Sequence, residues 1–120
     1  MYSPLLWEHA RNPRNRKAIP DALVGKARYQ RCGDRLTLYL KVDDGRITEA
    51  SFEARACAPV IAVASLATEM VQDLEVQAAL RLSVFDIDGE LGGLPPSKRH
   101  AYLLFLECLH QALTSQIKEI

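Results

Sequence analysis

Between Leu36 and Val42 the chain alternates strictly, Leu36, Leu38, Leu40 and Val42 against Thr37, Tyr39 and Lys41. A period of two with one apolar side predicts a strand that buries a single face. Asp43-Asp44-Gly45 supplies the residue types a tight hairpin turn needs, and Ala50, Phe52, Ala54 and Ala56 line one side of the strand that follows. Val24 to Arg31 is a weaker strand candidate ahead of this pair. Together the three predict an antiparallel meander covered on one side.

From Ala58 the period changes. Pro59 sits where a first helical turn tolerates it, and Val60 to Val71 forms an apolar, alanine-rich helix. A shorter helix fits Val76 to Leu82. Ser83 or Asp86 is placed to cap another turn, interrupted by Gly89 and Gly92-Gly93. After Pro95-Pro96 a long helix is expected from Ser97 to near Lys118, with Leu106, Leu109, Leu113 and Ile117 down one side. At the other end, Ser3-Pro4 reads as a hydroxyl N-cap followed by proline at the first helical position. That helix should stop near Ala10, ahead of Asn12-Pro13, and leave Arg14 to Gly25 irregular. Strands first and helices afterwards argue for an α+β domain, a three-stranded antiparallel sheet with helices packed on one face.

Composition narrows this picture. A chain of 120 residues with 48% hydrophobic content suits one domain over 1–120. Fifteen basic and fifteen acidic residues cancel, so neither nucleic acid nor an anionic membrane surface is expected as a partner. The early basic cluster from Arg11 to Arg35 reads as a solvated face. Met1-Tyr2-Ser3-Pro4 does not open like a secretory signal, and the apolar run Ala101 to Leu106 is too short to span a bilayer. An odd count of three cysteines fits a reducing cytoplasm, with thiols free for metal or sulfur chemistry, better than a disulfide framework.

Cys32-Gly33-Asp34 falls between the first two strands. Its thiolate and carboxylate can face one cation across a glycine turn, although alone the tripeptide also fits a plain turn with a buried thiol. Cys57 stands just before a helix N-terminus, whose free N–H groups favour thiolate; a small buried apolar residue is the equal alternative. His100, one turn into the last helix, is by itself a surface or packing residue, as are His9 and His110. Cys108 lies among Leu104, Phe105, Leu109 and Ala112 and reads as core. No serine, histidine and acid arrangement and no phosphate-binding glycine loop is visible, so an enzyme is not expected.

Taken together, these residues resemble the IscU/NifU amino-terminal family of iron-sulfur cluster scaffolds (the SufE/NifU-type fold) from about Tyr2 to Ala112. The resemblance rests on Tyr2-Ser3, Asn12-Pro13-Arg14-Asn15, Cys32-Gly33-Asp34 and Ala56-Cys57 followed by Ile61-Ala62, Ser65-Leu66 and Thr68-Glu69. It continues through Gly92-Gly93-Leu94-Pro95-Pro96-Ser97-Lys98-Arg99-His100. It implies a scaffold on which a [2Fe-2S] cluster is assembled from iron and from sulfur supplied by a cysteine desulfurase, then passed to cluster-acceptor proteins. Zinc is the alternative occupant. The implied metal ligands are Cys32, Asp34, Cys57 and His100. A Leu-Pro-Pro-x-Lys element for an Hsp70-type chaperone maps onto Leu94, Pro95, Pro96 and Lys98.

The chain departs from the family where a third cysteine follows the histidine, because that position is Ala101. Cys108 points to nearly the same side of the helix but lies about 10 Å along its axis, too far for a shared metal centre. Ala58 also stands where the family typically has glycine, and Pro59 stiffens the next step. Two thiolates, a carboxylate and an imidazole still close a tetrahedral zinc site or hold two irons at two ligands each. Sulfur acceptance is harder to preserve without the third thiol. The expectation is therefore a specialised or degenerate homologue: a cluster or iron carrier, with a zinc protein in sulfur transfer and a metal-free partner-binding protein as alternatives.

Overall fold

A computed structural model describes residues 2–118. The elements run α1 (Pro4–Arg11), β1 (Leu23–Tyr29), β2 (Asp34–Asp43), β3 (Arg46–Arg55), α2 (Ala58–Val71), α3 (Val76–Leu80), α4 (Val84–Leu91) and α5 (His100–Lys118), with a 3₁₀ turn at Pro96–Lys98. The sheet is antiparallel in the order β1-β2-β3, pairing Ala27 with Leu36 and Leu38 with Phe52. The alternation read from the sequence is realised, since Leu36, Leu38 and Leu40 are buried under the helices while Arg35 is exposed and Thr37 and Tyr39 are half-buried on the other face. Asp44 and Gly45 both take positive φ, as the two-residue hairpin demands.

Both sheet edges are partly covered. Along β3, Phe52 N–H donates to the Asn15 carbonyl at 2.8 Å, so the segment expected to be irregular borrows a rung of the ladder. Along β1, Lys26 N–H donates to Gln111 Oε1 of α5 at 2.6 Å. The strand itself begins at Leu23, inside that expected irregular segment.

The helices cover one face, and their termini follow local chemistry. Ser3 Oγ accepts from Leu6 N–H and donates to the Leu91 carbonyl at 2.6 Å, capping α1 and tying it to the end of α4. Ser83 and Asp86 form a reciprocal capping box on α4. Gly89 does not interrupt α4, because an exposed glycine costs a helix only about 1 kcal/mol; Gly92 ends it with φ 91°. Helix α3 stops at Leu80 rather than Leu82. The last helix starts at His100, three residues later than expected, because Pro95-Pro96 first drives a 3₁₀ turn. His100 is thus the first residue of α5 rather than one turn in. On α5, Leu109 and Leu113 are buried and Leu106 lies on the flank; the Ile117 side chain lies outside the described residues.

Helix α5 lies directly against the backbone of β1 at Gly25. A Cβ there would lie 1.9 Å from the Cys108 carbonyl oxygen and 2.7 Å from its carbon, so only glycine lets β1 and α5 meet at this spacing. No described helix is long and apolar enough to cross a membrane.

Candidate metal centre

Asp34 is the first residue of β2 and is 4% exposed, a carboxylate held where the sheet meets two helix N-termini. Its Oδ1 accepts from Cys57 N–H at 2.9 Å. Its Oδ2 lies 3.4 Å from Cys57 Sγ and 3.0 Å from His100 Nε2. Burial alone would raise the Asp34 pKa, but the hydrogen bonds from His100 and from Cys57 outweigh it and hold the carboxyl below its ordinary value. With Asp34 ionised, His100 Nε2 donates. The other ring nitrogen, Nδ1, is buried without a hydrogen-bond partner. The imidazole stacks on Tyr29, with centroids 4.0 Å apart and planes 13° from parallel.

Cys32 sits in the turn between β1 and β2, which Gly33 closes with φ 73° and an N–H bond to the Tyr29 carbonyl at 2.8 Å. The buried-thiol alternative for this turn is overturned: Cys32 is exposed. It lines an open cleft of about 490 Å³ with Tyr29, Arg31, Lys98 and His100. One ligand atom each from Cys32, Asp34 and His100 lie within 4.8 Å of one another. Ligands on opposite sides of a zinc ion at bonds of about 2.0–2.3 Å are up to about 4 Å apart, so closure on a cation asks for small rotations only. Cys57 stands outside that mutual set and reaches it through Asp34. The donor chemistry and the orphaned Nδ1 fit a metal ion or a cluster.

Cys57 is the N-cap residue of α2, as its position before the helix implied. Of the two equal alternatives the sequence left for Cys57, the thiolate preference is not realised. Burial pushes the thiol above its ordinary pKa; the Val60 N–H works against this, and the Asp34 carboxylate adds to it. Sequence spacing shows the helix terminus but not a carboxylate arriving from 23 residues away.

Cys108 is fully buried, with Sγ 3.5 Å from the Leu36 carbonyl oxygen, and burial raises its pKa to about 12. It is core, as expected. Ala101 is also fully buried, at the start of α5. In the Leu94-to-Lys98 segment, Leu94 is buried, Pro95 and Lys98 are half-buried and Pro96 is exposed.

Sequence reading missed one constellation. His9 Nδ1 meets Ser65 Oγ at 2.7 Å, and His9 Nε2 lies 3.8 Å from Glu69 Oε1, a serine, histidine and acid arrangement that spacing did not reveal. Ser65 is fully buried and its Oγ also accepts Arg14 N–H at 2.8 Å. The serine therefore has no path to a substrate, and the group is a strut joining α1 to α2.

The NifU-like N terminal domain model matches residues 1–119. The iron-sulfur cluster assembly scaffold protein IscU 1 of Archaeoglobus fulgidus is 38% identical over 120 residues, spanning 99% of this chain and 78% of that protein. The zinc-dependent sulfurtransferase SufU of Bacillus subtilis is 31% identical over 83 residues, 69% of this chain and 56% of its own. The crystal structure of SufU from Fervidobacterium islandicum AW-1 superposes with a TM-score of 0.78 at 21% identity, covering 93% of this chain and 96% of that one, and so shares the fold. The chain belongs to the NifU-like N-terminal domain family of iron-sulfur cluster assembly scaffolds.

Proposed function

We propose that this protein is a scaffold that receives iron and sulfur and holds a [2Fe-2S] cluster or iron, acting as a carrier rather than an enzyme. The observation that carries this reading is the convergence of Cys32, Asp34 and His100 within 4.8 Å, with Cys57 bonded to the same carboxylate. Cys32 and Cys57 would supply thiolates, His100 an imidazole nitrogen and Asp34 a carboxylate oxygen, four ligands in all. A neutral imidazole in place of a third thiolate makes the site less negative and raises the reduction potential of bound cargo.

Sulfur is expected from a cysteine desulfurase and cluster hand-over to acceptor proteins, with an Hsp70-type chaperone engaging Leu94 to Lys98. Because Leu94 is buried, a chaperone gripping it would need that segment to open locally. Of the three thiols Cys32 is the most exposed and Cys57 is half-buried, so Cys32 is the one a sulfur donor reaches most readily. This favours reduced rather than abolished sulfur acceptance.

The test is iron and sulfide content, and visible absorption, of protein purified without oxygen, set against the Cys32→Ala, Cys57→Ala double variant. Coloured wild type and colourless variant support the reading, and equal metal in both refutes it. Four mixed donors also suit tetrahedral zinc, and the SufU relative is zinc-dependent. A colourless wild type holding stoichiometric zinc that the double variant lacks selects this second reading. Ala101→Cys should improve cluster assembly from a desulfurase, and no gain would count against the missing thiol as the limiting defect.

A further inference from the structure

On the sheet face away from the helices, the register sets Arg28 directly opposite Arg35, and Arg35 directly opposite Arg55. All three are exposed, and none joins an ion pair among the described residues. Neighbouring strands lie about 5 Å apart, so three guanidinium groups form one row about 10 Å wide. Like charges directly opposite on a sheet destabilise it, and folding gains nothing from this arrangement. Lys26 extends the positive charge along β1. The row lies one register step from Asp34, at the end of the sheet that carries the candidate metal centre.

We propose that the Arg28–Arg35–Arg55 row is a docking face for a carboxylate-rich segment of a partner protein. Guanidinium groups take carboxylates in bidentate fashion, and a row matches several carboxylates along one segment better than one small anion. Two acidic side chains rule against a polyphosphate backbone or an anionic membrane. Glu107 lines the same shallow depression as Lys26, Arg28 and Arg35, and Glu53 borders Arg35 and Arg55 while accepting the Tyr39 hydroxyl. An extended array of phosphates would meet both, whereas a short acidic segment fits between them. The neighbouring site then lies within the partner's reach, and steering by opposite charge speeds encounter.

The test needs no metal, so its outcome is separate from that of the scaffold reading. Isotope-labelled whole protein is titrated with a capped hexaglutamate peptide, with its hexaglutamine counterpart and with inorganic phosphate, at low and at physiological salt. The expected result is backbone amide shifts on residues 26–28, 35–37 and 53–55 with hexaglutamate only. Binding should weaken several-fold at the higher salt and about tenfold or more in Arg35→Glu. Because Arg35 is exposed and faces two like charges, Arg35→Thr should lose binding while its melting temperature rises, which separates docking from misfolding. Equal shifts with phosphate would make this a small-anion surface and overturn the proposal. Shifts confined to the Arg11–Lys17 region, or none, would overturn it too. So would self-association by sedimentation that Arg35→Glu abolishes, since a second copy would then be the occupant.

Discussion

Gly25 and Gly89 allow the packing of α5 to be tested by one chemical change made twice. At Gly25 the added methyl would fall 1.9 Å from the Cys108 carbonyl oxygen, and real contacts of that kind stay above 3.0 Å. The obstacle is backbone of a packed helix, so α5 must retreat by about 1 Å. A gap of about 1 Å forfeits a quarter to a half of each dispersion contact along that interface. Overpacking of this severity costs about 3 kcal/mol, the upper end of the usual range. For a domain of this size that lowers the melting temperature by roughly 10–15 °C. The same retreat carries His100, the first residue of α5, away from the 3.0 Å bond to Asp34. Gly89 is the control: it is exposed inside α4, and a methyl added there would meet nothing within 4 Å, so Gly89→Ala should stabilise by about 1 kcal/mol. Thermal melts by circular dichroism read both, and amide shifts at Asp34 and Cys57 report the site. A Gly25→Ala protein that melts with the wild type would refute the claim that α5 is locked against β1 here.

Other perturbations have equally definite outcomes. Timed alkylation followed by mass spectrometry should modify Cys32 first, Cys57 more slowly and Cys108 only on unfolding, and early modification of Cys108 would contradict its burial. Burial, with Arg14 beside it, lowers the His9 pKa, so the fold prefers a neutral ring while the unfolded chain takes up a proton near pH 6.5. Stability should therefore fall as pH drops below about 6.5, and His9→Gln should flatten that part of the pH dependence of the melting temperature. The Tyr102 hydroxyl, buried and donating to Asp88 of α4, has its pKa raised by burial and by that carboxylate. Tyr102→Phe should cost about 1–2 kcal/mol in denaturant melts, and a neutral result would show that the α4–α5 tie is not a net stabiliser.

How much of this was legible follows from how far apart the deciding residues lie. The period of two through Leu36 to Val42 and the Asp44-Gly45 turn are local signals, and they yielded the sheet. Ser3 and Ser83 declared their caps for the same reason. The start of α5 was misplaced by three residues because Pro95-Pro96 permits either a helix or a 3₁₀ turn. The four candidate ligands were found only through a resemblance, since alone each had an ordinary alternative. The Asp34–Cys57 hydrogen bonds, the His9–Ser65–Glu69 strut and the arginine row depend on partners 23, 56 and about 20 residues away or on exact register, and local patterns carry no record of these.

The side chain of Gln111 reaching over to the Lys26 amide bears on how this molecule keeps to itself. A fourth strand approaching β1 from another molecule would have to displace that glutamine and strip water from Lys26 and Arg28 before forming its first hydrogen bond. Growth of the sheet sideways, the common route from a folded sheet to fibrils, is thus opposed at the start. The backbone pairing of β1 is thereby guarded by a side chain of the same molecule.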